Sequence, residues 1–267
     1  MDLSAIRAKL DSMNTSGQQR EKIDYEATFW KPPQGKSQIR IVPSFYNPDF
    51  PFRELYFHYG VGKYPMIALS NFGMQDPVVD FVNELKKTDD RDNWSLAGKL
   101  NPKMRIFAPV VVRGEEDRGV RLWGFGKNVY KTLMSYAADE EIGDFTDVMA
   151  GRDLNVEVVQ GNPYPETTIR PRMQASALSD DNVKVETWLK TQPKADDSFT
   201  KYSFDFIKKQ LTSYLDPEAD LNSPAPAAPV EVQAPANNFT VQKATESKPS
   251  TATKFDDLFS GDNDLPF

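Results

Sequence analysis

The chain of 267 residues contains no cysteine and a single histidine, His58. The first absence excludes disulfides, thiolate metal sites and cysteine nucleophiles. The second removes His-based triads and HExxH zinc sites, and with them the usual general base of hydrolases. No apolar run approaches the roughly 18 residues that a membrane span needs. Met1-Asp2-Leu3 also lacks the basic start and apolar run of a secretory signal. The expectation is a soluble cytoplasmic protein with no membrane partner.

Aromatic residues are plentiful, with 17 Phe and 10 Tyr, so a sizeable core is within reach. Charge is unevenly distributed. Residues 216–267 hold nine acids and three bases, a net −6 out of −7, and leave residues 1–215 near neutral with 30 acids and 29 bases. A nucleic-acid-binding body with an acidic extension would carry this asymmetry.

Composition divides the chain into four pieces. In residues 1–20, Leu3, Ile6, Leu10 and Met13 form one apolar helical stripe beside Arg7 and Lys9, and Asn14-Thr15-Ser16-Gly17 ends it. One short helix is unstable alone, so it must dock on something. Residues 21–215 read as one compact domain. Strands are predicted at Ser37–Pro43, Phe52–Tyr59, Lys103–Arg113, Gly119–Phe125 and Asp153–Gln160, and helices at Val78–Lys87, Lys127–Ala138 and Phe199–Leu215. Glu115–Gly119 reads as a hairpin connection. Short strands broken by turns, with few helices, predict a β-barrel or an α+β domain. Residues 216–254, rich in Pro, Ala, Ser and Thr, read as a disordered linker, and 255–267 as a short recognition element.

Cations interleave with aromatics through the central domain. Arg40 lies in a strand; Trp94 precedes Lys103, Arg105 and Phe107; Arg113, Arg121, Trp123 and Lys127 lead to Tyr130; Tyr164 precedes Arg170 and Arg172. Single-stranded nucleic acid is held by such a mixture, because cations track phosphates while exposed rings stack on bases. Core aromatics and a solvated cationic face would give the same pattern. Gly124-Phe125-Gly126-Lys127 lacks the GxxxxGKS/T spacing of a phosphate loop and reads as a strand-end turn. Asp89-Asp90-Arg91-Asp92 and Asp139-Glu140-Glu141 read as solvated loops, and His58 as a packed histidine.

Gly35-Lys36-Ser37-Gln38-Ile39-Arg40-Ile41-Val42-Pro43-Ser44 resembles the first core strand of the T-even phage single-stranded DNA-binding protein family. Further stretches fall in the family's order: Phe57-His58-Tyr59-Gly60, Asp76-Pro77-Val78-Val79-Asp80-Phe81, Asn93-Trp94-Ser95-Leu96, Arg105–Arg113 and Phe125–Tyr130. The resemblance implies an α+β, mainly β, architecture: a five-stranded Greek-key OB-fold core, a small helical and loop subdomain, an N-terminal cooperativity arm and an acidic tail. It implies a cleft arginine at Arg40, base-stacking rings at or near Phe81, Trp94, Phe107 and Tyr164, and a basic segment at Lys103 and Arg105. Self-association along DNA would use Leu3, Ile6, Arg7, Lys9 and Leu10.

Two departures stand out. The family's zinc site uses one histidine and three cysteines. His58 occupies the histidine position, while Asp76 and Val79 stand where paired cysteines would be. The zinc is therefore expected to be absent, with Phe72, Val78, Val79 and Phe81 packing in its place. The arm also has fewer basic residues than the family's.

The final Asp262, Asp264, Leu265, Pro266 and Phe267 resemble the acidic tip of bacterial single-stranded DNA-binding proteins. That likeness implies docking on replication and recombination proteins (polymerase, helicase loader, recombinase). The expected function is a non-catalytic single-stranded DNA-binding protein of phage replication, recombination and repair, in the cytoplasm of an infected bacterium. A replication adaptor that binds protein only, and a metal-dependent nuclease using the acidic clusters, are the alternatives.

Overall fold

The computed structural model of the chain describes residues 24–162 and 164–216. The expected arm at 1–20, and the expected linker and tip beyond Asp216, lie outside the described residues.

Strand β5, Lys103–Val112, organises the fold. Its ten residues include four β-branched ones and a phenylalanine, which suit a pleated, buried surface. β6 (Arg121–Phe125) runs antiparallel along one edge of β5, after a connection that holds one 3-10 turn at Glu116–Arg118, as the hairpin reading expected. The other edge is shared. β3 (Arg53–His58) pairs with the first half of β5, and β2 (Gly35–Ile41) pairs with its end. β2 continues to β7 (Leu154–Val159) and then β8 (Glu166–Pro171). Two-residue strands β1 (Phe29–Trp30) and β4 (Met66–Ile67) join β6 and β3, giving eight strands in one sheet. The α+β, mainly β, class is as expected, with more strands than the five of a minimal barrel.

Helices cover the sheet and form a lobe beside it. α1 is Tyr25–Thr28. α2 (Pro77–Lys86) begins at Asp76, whose carboxylate accepts from the Val78 and Val79 amides, with proline at its first position. α3 (Arg91–Leu100) starts at Asp90, whose side chain accepts from the Asp92 amide. The acidic run at 89–92 is therefore the start of a helix, which corrects its reading as a loop. α4 is Lys127–Ala137 and α5 is Asn182–Lys190. α6 (Phe204–Leu215) begins five residues later than expected, because the Ser203 hydroxyl caps it by accepting from the Phe206 amide.

The main core lies on one sheet face. Ile39, Ile41, Ile106, Ala108, Val110, Trp123, Phe125, Val156 and Ile169 meet Val129 and Leu133 of α4 and Phe145. A second cluster joins α2, α3 and α6 through Val78, Val82, Leu85, Ala97, Leu100, Ile207 and Leu211. This is the small helical lobe expected beside the sheet.

Candidate nucleic-acid interface

Side chains alternate faces along a strand, and directly paired residues share a face. Gln38 pairs with Asn155 and Asn155 with Arg170; Arg40 pairs with Val111, Leu55 with Arg105, and Phe57 with Lys103. Lys103, Arg105, Phe107, Arg113, Arg40 and Arg170 therefore sit on the sheet face opposite the main core. Ile39, Ile106 and Val110, one residue out of phase, point into that core. The period of two thus sorts cations from hydrophobes across the sheet.

Not every cation on this face is open. Arg40 is fully buried, with Nε donating to Asp153 Oδ1 at 2.8 Å and Nη2 to Ser176 Oγ at 2.7 Å. Its Nη1 donates to the Ser176 carbonyl at 3.1 Å. Arg113 grips the same carboxylate with two donors, at 3.0 and 2.9 Å, and Gln38 Nε2 adds a third partner at 2.6 Å. Burial alone would raise the Asp153 pKa; Arg113, Arg40 and Gln38 overcome it and hold the carboxyl below its ordinary range. Arg40 as a cleft arginine is corrected: its donors are spent on joining β2, the residues before β7 and the 172–178 segment. Arg172 extends the cluster, its amide donating to the Asp153 carbonyl and its guanidinium reaching Gln38 Oε1 at 3.4 Å.

Arg105 is also buried, with Nη2 3.4 Å from the Gly124 carbonyl. Arg121 falls on the opposite face by alternation, is buried, and pairs with Glu115 Oε2 at 2.8 Å. Lys127 is exposed, but at the start of α4, which covers the main core. Among the described residues, this face exposes Lys103 at the start of β5, Arg170 and Arg172 at the far edge, and Arg53, which is paired with Asp196. Lys36, which the reading of cations passed over, joins them by register with Glu157.

The rings divide in the same manner. Phe107 is 1% exposed and packs between Phe57 and Phe199. A Cβ at Gly124 would stand 2.8 Å from its ring, so only glycine fits there. Trp123, also 1% exposed, packs against Trp30 and Phe125. Both were candidate base stackers and both are core. Hydrophobic burial outweighs exposure for a large ring on a central strand. Phe81 is half-buried against the helical lobe, and Tyr164 is half-buried near the β7–β8 turn. Tyr130 packs on Phe52 and donates its hydroxyl to Glu54 at 2.8 Å; burial and the Glu54 charge push its phenol well up. Trp94 is 54% exposed, with Nε1 donating to the Thr88 carbonyl at 2.9 Å. Two rings missed by the reading, Phe45 and Tyr46, stand exposed in the loop between β2 and β3. Their signal was present: an aromatic pair flanked by Pro43 and Pro48, with no periodic partner to bury it.

At the position implied for zinc, His58 and Asp76 are both buried, and His58 Nε2 lies 2.8 Å from Asp76 Oδ2. Asp76 Oδ2 also accepts from the Leu69 amide, and Oδ1 from Val78 and Val79. Among the described residues no group of three or more His, Cys, Asp or Glu could hold a metal. The donor set does not fit zinc. Of the residues expected to pack in its place, Val78 is fully buried in the helical lobe with Phe81 against it, Phe72 packs on a neighbouring cluster, and Val79 is half-buried. Within the acidic clusters, Asp90 caps α3 and Asp139 Oδ1 accepts from the Glu141 amide.

A family model described as gp32 DNA binding protein like matches residues 33–192, from just before β2 to the residue that clamps the β2–β3 loop. No curated protein matches the chain. The match covers more than half of the sequence and contains the whole cation-bearing sheet face, so the chain belongs to the gp32-like family of DNA-binding proteins.

Proposed function

We propose that this protein coats and protects single-stranded DNA, without sequence preference, during phage replication, recombination and repair in the cytoplasm of the infected bacterium. Family membership supports DNA as the ligand. The observation that carries the reading is the sheet face that opposes the main core and presents Lys36, Lys103, Arg170 and Arg172 to solvent. Cations there would follow phosphates, and exposed rings such as Trp94 would stack on bases. Neither contact reads base identity. Stacking requires an unpaired base, so binding shifts the duplex equilibrium toward single strands.

The reading involves no catalytic step and no cofactor. Residues 1–20, through Leu3, Ile6, Arg7, Lys9 and Leu10, would link copies along the strand. The tail, ending in Asp264-Leu265-Pro266-Phe267, would recruit polymerase, helicase loader and recombinase. Its net −6 over 216–267 also suits competition with DNA for the basic face, so deleting 216–267 should raise affinity at low salt.

Titration with oligo(dT) tests the reading. Binding should occur and weaken steeply with salt, because neutralised phosphates release counterions. Labelled strands should stay intact with Mg²⁺. Absence of binding at low salt would favour the protein-only adaptor, and cleavage would favour the nuclease.

A further inference from the structure

The loop joining β2 to β3 carries Phe45 at 57% and Tyr46 at 51% exposure, packed edge to face with centroids 5.4 Å apart. Two large rings left in water are not unusual singly. What distinguishes this pair is the buried polar residue that holds it. Gln192, only 5% exposed, donates Nε2 to the Pro43 carbonyl at 2.8 Å and accepts from the Phe45 amide through Oε1 at 2.9 Å. Its backbone carbonyl accepts from the Tyr46 hydroxyl at 3.1 Å. Ser44 Oγ takes the Tyr46 and Asn47 amides. The rings are thus held outward on an ordered loop.

A cation stands beside them. Lys194 Nζ lies 5.9 Å from the Tyr46 ring centroid and 3.2 Å from Asp197 Oδ2. Asp197 is shared with Lys201, whose Nζ sits 4.2 Å from the Phe72 ring centroid. Lys194 and Lys201 thus share one carboxylate between two aromatic positions. The neighbouring Asp196 is neutralised by Arg53, on the cation-bearing sheet face. Ala195 and Phe199 pack on that same face, so the 192–201 segment lies across it and ends at the Phe45–Tyr46 pair.

We infer that Phe45, Tyr46 and Lys194 form a stacking subsite for single-stranded DNA at the β2–β3 loop. The rings would take one or two bases, and Lys194 the adjoining phosphate. This arrangement joins an aromatic platform to a cation, the combination that binds single strands regardless of sequence. A purely apolar partner would gain nothing from Lys194, and a basic partner would be repelled by it. The inference rests on the proposed single-strand binding.

The test uses the full chain and labelled oligo(dT), followed by anisotropy, with thermal melts to verify folding. Tyr46→Ala and Phe45→Ala should each weaken binding by roughly 5- to 100-fold, the effect of one lost base stack. Tyr46→Phe keeps the ring but loses the bond to Gln192, and should stay near wild type. Lys194→Gln should lower the salt slope by about 0.7, as expected for one phosphate contact on a single strand. Wild-type affinity and salt slope in the Tyr46→Ala and Lys194→Gln proteins would overturn the subsite while leaving the single-strand reading standing. A change only in self-association, seen by sedimentation, would also overturn it and assign the rings to a contact between copies. A wild-type chain that binds no oligonucleotide would remove both readings.

Discussion

His58 and Asp76 face each other inside the protein, Nε2 to Oδ2 at 2.8 Å, with neither side chain more than 1% exposed. The pair ties the end of β3 to the start of α2, where the resemblance implies a metal. Asp76 serves at once as hydrogen-bond partner of His58, helix cap and acceptor for the Leu69 amide. One carboxylate thus organises the junction between sheet and helical lobe.

Chelation should leave the protein unchanged. Prolonged treatment with a strong zinc chelator is expected to alter neither the melting temperature nor oligo(dT) affinity. Asp76→Ala should cost about 2–4 kcal/mol, because it uncaps α2 and leaves the buried His58 ring and Leu69 amide without their partner. A chelator-induced fall in melting temperature would refute the metal-free junction.

Acid should weaken the fold through two carboxylates. Asp76 and Asp153 are both held below their ordinary value of 3.8, against the effect of their own burial. A folded pKa below the unfolded one gives stability that is complete above the unfolded value and lost as pH falls through the folded value. Stability should therefore be flat near neutrality and decline below about pH 4. In Asp153→Asn the decline should be shallower, as measured by denaturant midpoints at several pH values.

Cations on the same face should separate by function. Arg40→Met should reduce stability by about 3–5 kcal/mol, because Asp153 loses a buried partner, yet leave the salt slope of DNA binding unaltered in protein that remains folded. Lys103→Ala and Arg170→Ala should each lower that slope by about 0.7 with little effect on melting. The reverse pattern would move the interface off this sheet face.

Fluorescence should report one tryptophan. Trp30, Trp123 and Trp188 are buried and Trp94 is exposed. Stacking of a base should quench Trp94, so the quench on adding oligo(dT) should vanish in Trp94→Phe. A persistent quench in that variant would mean that a buried tryptophan senses the DNA indirectly.

Much of the architecture was legible along the chain. The predicted limits of β5, Lys103–Arg113, agree with the observed Lys103–Val112 to one residue, because a dense run of β-branched and aromatic residues has few other conformations to fit. α4 was equally clear, its apolar residues recurring at helical spacing. α3 was missed because its charged first turn, Arg91-Asp92-Asn93, hides the stripe that Ala97 and Leu100 complete. β8, mostly polar on both faces, carried no alternation to detect. The candidate site was legible as a list of residue types and not as a surface. Arg40 and Lys103 look alike in sequence, yet one is sealed against Asp153 and the other is open.

By itself the sequence determined which chemistry the protein has at its disposal: cations and rings in a β-rich body, an acid-laden extension, and none of the cysteines that the family's zinc site uses. Local pattern suffices for that, since composition and strand period depend only on neighbours in the chain. Which arginines meet solvent, which rings are buried, and that a glutamine after α5 holds two rings outward 146 or more residues earlier were decided by the tertiary structure alone. Those outcomes depend on register and on contacts between distant segments, where one carboxylate placed opposite an arginine turns a potential ligand contact into an internal brace.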